Sequence, residues 1–314
     1  MTLLSRAFVA AGLSLALVGA GCSAPTLPGQ TPSGPKLSTF ENVSPKDAAL
    51  RINFVPGSVI ETRSTFLGFG AKLAAAMAGQ NKEGTRVIVI TRFAPNETAN
   101  VEWKLSSKVE GATSIKAREQ ARKEKKTEPE PVMVDQTALG QVNGINLKDA
   151  HSMMLPAYWP ETTTGTAFGT SGIWLSKDVF EGYSRSRVAT LDFGILDPSI
   201  QGAVAKASEF RDALTKLQGQ VTKIEERTDV FLLKGEEQPS EWTLKVNGQD
   251  VKVEVLKGRT WFGEIVVLNN PQNPLVLKVT LNPATSGVTD LITNFSALKA
   301  LFGYEVTELK DVQP

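Results

Sequence analysis

One cysteine and one histidine are all that this 314-residue chain carries of either type. A lone cysteine excludes an intrachain disulfide, a CxxC redox pair and any zinc site built from several thiolates. A lone histidine, His151, leaves a single imidazole for any Ser-His-Asp arrangement and makes any metal site mostly carboxylate. Charge of one sign is also missing in excess, with 34 Lys and Arg against 33 Asp and Glu. Nucleic-acid binders carry a basic surplus that releases counterions, so that class is disfavoured. The apolar run at 7–21 is 15 residues long, short of the roughly 20 that a bilayer-spanning helix needs. What is present is ordinary for a globular body, 41% hydrophobic and 21% charged residues. The length fits one large domain or two.

The amino terminus is the most specific part. Residues 1–6, MTLLSR, carry one positive charge, and residues 7–21 follow as an uncharged apolar stretch. Gly19, Ala20 and Gly21 then lead directly to Cys22. The order basic, apolar, small is that of a secretory leader. With the cysteine it resembles the lipobox of bacterial lipoproteins, although Gly19 stands where Leu, Val or Ala is more usual. The resemblance implies that the Cys22 thiol takes a diacylglyceryl group and that cleavage falls just before it, making Cys22 the lipid-attachment site and the first mature residue. An ordinary secretory signal cut after Val18-Gly19-Ala20 is the plainer reading of the same residues. In Gram-negative lipoproteins a residue other than Asp after the cysteine, here Ser23, goes with outer-membrane sorting. Arg6 is the only charged residue before Cys22, so the mature chain balances 33 basic against 33 acidic residues. Two or three acyl chains, at about 0.8 kcal/mol per buried CH₂, give a stable anchor.

This divides the chain into a signal peptide at 1–21, a lipidated tether at 22–46 rich in Pro, Ser, Thr and Gly, a β-rich region at 47–200 and a second region at 201–314. The first region holds a charged insertion at 113–131, read as solvated, with a helical start that Pro129 and Pro131 cannot continue.

Strand patterns dominate the body. In 241–256, EWTLKVNGQDVKVEVL, apolar residues alternate on either side of Asn247-Gly248, a hairpin signal because both residues tolerate positive φ. Pairing Val246 with Gln249 sets Leu244 opposite Val251 and Trp242 opposite Val253. Segments 58–66, 86–93, 101–109, 172–176, 187–194, 220–235, 261–268, 274–281 and 304–309 also read as strands or strand approaches. Helices are expected at 203–219, 178–185 and 289–302. The fold class is therefore α+β and β-rich, mainly antiparallel sheet with a few helices. A curved half-barrel is one form of it, similar in element order alone to the half-barrel lipoprotein carriers of bacterial envelopes.

No catalytic pattern rises above background. Ser296-Ala297-Leu298-Lys299 matches S-x-x-K without its companion motifs, and 168–174, FGTSGIW, misses G-x-S-x-G. The run at 68–79, GFGAKLAAAMAG, starts like a dinucleotide loop but has Leu73 where glycine is needed. His151 reads as a structural residue. The expectation is a non-enzymatic binding or scaffolding protein without a cofactor, extracytoplasmic and held to a membrane by its amino-terminal lipid. It would sit at the outer membrane or periplasm in a Gram-negative host, with an envelope protein or a lipid as partner and no nucleic acid. The alternatives are a carrier of lipid or lipoprotein, and an anchored envelope hydrolase using His151 with a serine, or two carboxylates. Intact mass of the membrane-extracted protein is expected to show a chain beginning at acylated Cys22, and Cys22→Ser is expected to leave the membrane fraction. A Cys22→Ser chain that stays anchored would overturn the assignment.

Overall fold

The computed structural model describes residues 40–65, 84–156, 159, 165–167, 169–192, 232–260, 263–281 and 303–313. Cys22, the leader, most of the tether, the 68–79 run, the helices expected at 203–219 and 289–302 and the S-x-x-K match lie outside these residues. Among the described residues the chain builds three helices, α1 (Pro45–Leu50), α2 (Ala112–Lys123) and α3 (Lys177–Ser186). Eleven strands join in one sheet. They are β1 (Val59–Thr65), β2 (Thr85–Ala94), β3 (Thr98–Glu110), β4 (Met133–Asn146), β5 (Val188–Thr190), β6 (Leu232–Gly235), β7 (Ser240–Val246), β8 (Gln249–Arg259), β9 (Gly263–Leu268), β10 (Val276–Leu281) and β11 (Gly303–Lys310). The body is β-rich α+β, and the curvature expected of the sheet goes as far as a closed ring.

That ring is a meander. Strands β7 to β11 pair antiparallel in succession. Five strands is an odd number, so the last runs in the same direction as the first and the closing pair must be parallel. Glu308 and Leu309 of β11 accordingly pair in parallel with Lys245 and Val246 of β7. Because β1 lines β11 from end to end, β10 and β7 share the opposite edge of β11, one at residues 304–305 and the other at 308–309. Strand β8 is shared in the same way, by β7 along 249–255 and by β6 at 258–259. From these two strands the sheet continues outward as β1-β2-β3-β4 and as β6-β5. The two sequence regions on either side of residue 200 thus meet in one sheet.

The hairpin at 247–248 adopts the predicted register, with Leu244 opposite Val251 and Trp242 opposite Val253. Asn247 and Gly248 have φ of 49° and 83°, the left-handed pair that a two-residue hairpin requires. The turn also locks the ring. The Asn247 backbone N–H donates to the Leu309 carbonyl at 2.7 Å, its side-chain amide donates to the Val312 carbonyl at 3.2 Å, and its Oδ1 accepts from the Val312 N–H at 3.3 Å.

The cross-strand rows packed in the core are nearly all apolar. One cross-strand row runs Gly140, Trp103, Ile88, Ile60, Leu309, Val246, all buried. Another runs Gly235, Gly258, Ile265, Val279, Tyr304. A Cβ at Gly258 would overlap the Tyr183 hydroxyl, and one at Gly235 would come within 2.7 Å of it. The two glycines therefore make the recess in which α3 seats Tyr183, whose phenol is pushed well up by burial.

Segment 172–176, expected as a strand, is instead a tight turn with one bridge, Trp174 to Leu275, and Ser176 caps α3 by accepting from the Val179 N–H. Gly172 at φ 59° turns the chain there and prevents an extended run. Residues 40–46, assigned to the tether, belong partly to the body. Phe40 and Val43 pack on the core, and Ser44 caps α1 through the Asp47 N–H at 3.1 Å. Asn270 and Asn273, buried in the turn after β9, then donate to the carbonyls of Ala49 and Ile52 at the end of α1.

The charged insertion is ordered. α2 has one buried residue, Ser114, so an ionic network rather than apolar burial holds it to the β3–β4 ribbon. The Ser114 hydroxyl donates to Glu110 at 2.7 Å and accepts from the Val132 N–H at 3.0 Å. Arg118 joins Glu110 at 2.9 Å and Glu128 at 3.0 Å, and Arg122 joins Glu128 at 2.6 Å.

Two measurements test this description. Asn247→Ala puts at positive φ a residue that lacks asparagine's tolerance of the left-handed region and removes both side-chain bonds to Val312, an expected loss of about 2–3 kcal/mol in urea unfolding. Asn247→Gly keeps the turn and loses only the bonds, so it is expected to cost about half as much; equal losses would refute the strain component. The Arg122 hydrogen bond holds the Glu128 carboxyl below its usual range. A lowered folded-state pKa means that the stabilisation is complete above the ordinary carboxylate range and is lost as pH falls through the depressed value. Hydrogen-exchange protection of α2 is therefore expected to persist at neutral pH and to fall below about pH 4. Loss of protection on raising the pH instead would contradict it.

Candidate functional site

A further set of cross-strand rows carries charged residues, which the register lays side by side. One row runs Thr137, Ser106, Thr85, Arg63, Glu305, Lys278, Val266, Lys257 across β4, β3, β2, β1, β11, β10, β9 and β8. The next runs Thr280, Glu264, Arg259, Lys234, Val188 across β10, β9, β8, β6 and β5. Directly opposed residues share a face, so both rows stand on one surface.

Part of this surface is recessed. Where β6 and β7 fork along one edge of β8, a groove of ≈ 800 Å³ opens, with Val266 and Gly258 in its floor. Its walls carry the cations Lys234, Lys257, Arg259 and Lys278, the carboxylates Glu236, Glu237 and Glu264, and the indole of Trp242. The fork needs an extra tie, because the Lys257 carbonyl lies between the two β8 partners. It accepts the Glu236 N–H at 2.9 Å and the Tyr183 hydroxyl at 2.6 Å. The same loop is tightened by the Ser240 hydroxyl donating to Glu236 at 3.1 Å.

The cations differ in their surroundings. Lys278 lies 5.6 Å from the Trp242 ring centroid and pairs with Glu305 at 3.4 Å, while Glu305 also meets Arg63 at 3.2 Å. Further along the face Lys310 pairs with Glu61 at 2.6 Å and Glu308 at 3.5 Å, and the Glu61 hydrogen bond raises its pKa. Among the described residues Lys234, Lys257 and Arg259 form no ion pair. Three cations without an ion pair among the described residues, beside a half-buried indole, make a surface that attracts anionic groups.

A second charged group is enclosed. The Arg86 guanidinium lies 4.0 Å over Trp103 and 5.8 Å from Trp159, and Arg86 is 8% exposed. The Trp159 indole donates to the Met154 carbonyl at 2.7 Å. Cation–π stacking accounts for a guanidinium here, since it keeps the charge against ring faces. The arrangement is part of the core.

The residues weighed for hydrolysis do not assemble. His151 is exposed, its backbone carbonyl accepts from the Asp192 N–H, and among the described residues no hydrogen bond joins its side chain to a serine. Ser171 of the FGTSGIW stretch is fully buried, and its hydroxyl donates to the Trp174 carbonyl at 2.6 Å. Among the described residues no three His, Cys, Asp or Glu side chains converge as metal ligands, and no helix is long and apolar enough to cross a membrane. The groove residues were not singled out in the sequence. Lys257 and Arg259 continue on β8 the alternation begun by Val251, Val253 and Val255, and their meeting with Lys234 and Trp242 depends on the fork.

Comparison with family models, with curated proteins and with solved structures returns no match to this chain.

Proposed function

We propose that the chain is a lipid-anchored envelope protein whose folded body binds a ligand and performs no chemistry on it. The groove between β6, β7 and β8 carries this reading, because it gathers in one recess an indole and three cations that form no ion pair among the described residues. The lipobox resemblance at Cys22 supports the anchor, and residues 23–39 leave a stretch of chain between the lipid and the first described residue of the body. The charged lining favours a polar ligand. It lends little support to a carrier of lipid chains, for which a continuous apolar concavity would be needed. A buried Ser171 whose hydroxyl is engaged by the Trp174 carbonyl, beside an exposed His151, lends none to a serine hydrolase.

Native mass spectrometry of the protein extracted from its own membranes in mild detergent is expected to show a bound small-molecule adduct, which Trp242→Ala removes. A wild-type protein that is repeatedly free of adduct, or an adduct that survives Trp242→Ala, would overturn the assignment of binding to this groove.

A further inference from the structure

The unpaired cations of the groove are close enough to act together. Arg259 and Lys234 are cross-strand partners, about 4.8 Å apart in the direction of the hydrogen bonds. Lys257 stands two residues before Arg259 on the same strand and the same face, about 6.8 Å away along β8. These spacings are shorter than the reach of the side chains, so one group placed over β8 can be met by all three. A carboxylate offers two oxygens and is satisfied by one guanidinium; a phosphate monoester offers three terminal oxygens and up to two charges, which matches three separate donors.

We infer that the groove binds a phosphate-bearing ligand, with the phosphate held by Lys234, Lys257 and Arg259 and the adjoining part of the ligand lying against Trp242. The inference rests on the reading of the groove as a binding site and names its ligand class. The carboxylates of the lining set its strength. Glu264 opposes Arg259 directly across β9 and competes for it. Glu236 is engaged by the Ser240 hydroxyl, and Glu237 follows it on the same loop. With four cations against three carboxylates in the lining, the local surplus is small. Binding is therefore moderate and weakens as salt is raised. Lys278 is already committed to Glu305 and steadies Trp242 by its position over the ring.

The test uses the full mature chain carrying Cys22→Ser, so that its own lipid does not attach it to vesicles. Inorganic phosphate is titrated by calorimetry, and flotation is measured with vesicles of phosphatidylcholine alone and with added phosphatidic acid, a phosphate monoester. Saturable phosphate binding is expected, weakened about tenfold by Lys257→Ala with Arg259→Ala and tightened by Glu264→Gln. The tightening is the diagnostic result, because a residue that served only the fold would not improve binding when neutralised. Flotation that requires phosphatidic acid identifies a lipid headgroup as the source; phosphate binding without flotation identifies a soluble phosphate, and either supports the shared chemistry. No saturable response to phosphate or to either vesicle would overturn the inference, as would a double variant that binds like the parent or a Glu264→Gln chain that binds no better. If a native adduct is present while phosphate fails to bind, the ligand class falls and the binding role stands.

Discussion

The parallel pairing of β11 with β7 is the constraint on which the architecture depends. A five-strand meander cannot close otherwise, and only two residues of each strand make the closure. So short a seam needs reinforcement, and the molecule places it at the Asn247 turn and the carboxy-terminal segment. Ser58 donates to the Asp311 carbonyl at 2.8 Å, Asn247 holds Val312 and Asn53 pairs with Gln313. Segments from the beginning, the middle and the end of the body meet within three residues of chain. Such long-range closure must await the synthesis of the last strand, which is the pattern of slow-folding β topologies.

Closure also explains the groove. A strand edge that serves two partners must release one before it takes the other, and the place of exchange is a gap in the ladder. On β8 the gap falls near residue 257, which leaves a recess between β6 and β7. The rows of Arg63, Glu305 and Lys278 on one side and Arg259 and Lys234 on the other are set by register alone. Arg63, Glu305 and Lys278 neutralise one another along the unbroken ladder, whereas Arg259 and Lys234 form no ion pair among the described residues where the strands part. The proposed phosphate site is thus a product of the topology rather than of any sequence motif.

Local periodicity made most strands legible. The 241–256 hairpin was readable to the residue because Asn-Gly fixes both turn and register, and β9, β10 and β11 followed from apolar alternation. β4 escaped notice: Met133 to Asn146 mixes Asp135, Gln136 and Gly140 among its apolar residues, and it is a strand because β3 offers it twelve paired positions. α1 was missed because six residues are too few for a helical period, although Ser44 followed by Pro45 and Asp47 is a start signal. α2 looked like a solvated tract because its partners, Glu110 and Glu128, lie outside the helix itself. Segment 172–176 looked extended from composition, yet Gly172 turns it. The groove was illegible because it depends on which strands share β8, a fact of topology that no window of sequence contains. At Cys22 the reverse holds, since a local chemical signal is all there is.

The glycine recess that seats Tyr183 has one more consequence. Opposite the groove, Gly235 and Gly258 bring α3 against the sheet without intervening side chains, and the Tyr183 hydroxyl reaches the Lys257 carbonyl. The wall between helix and groove is there a single layer of backbone. Lys257 belongs to both surfaces, its ammonium to the open side and its carbonyl to the helix. Whatever loads that ammonium bears, through one peptide unit, on the position of α3, so the two faces of the sheet are mechanically one part.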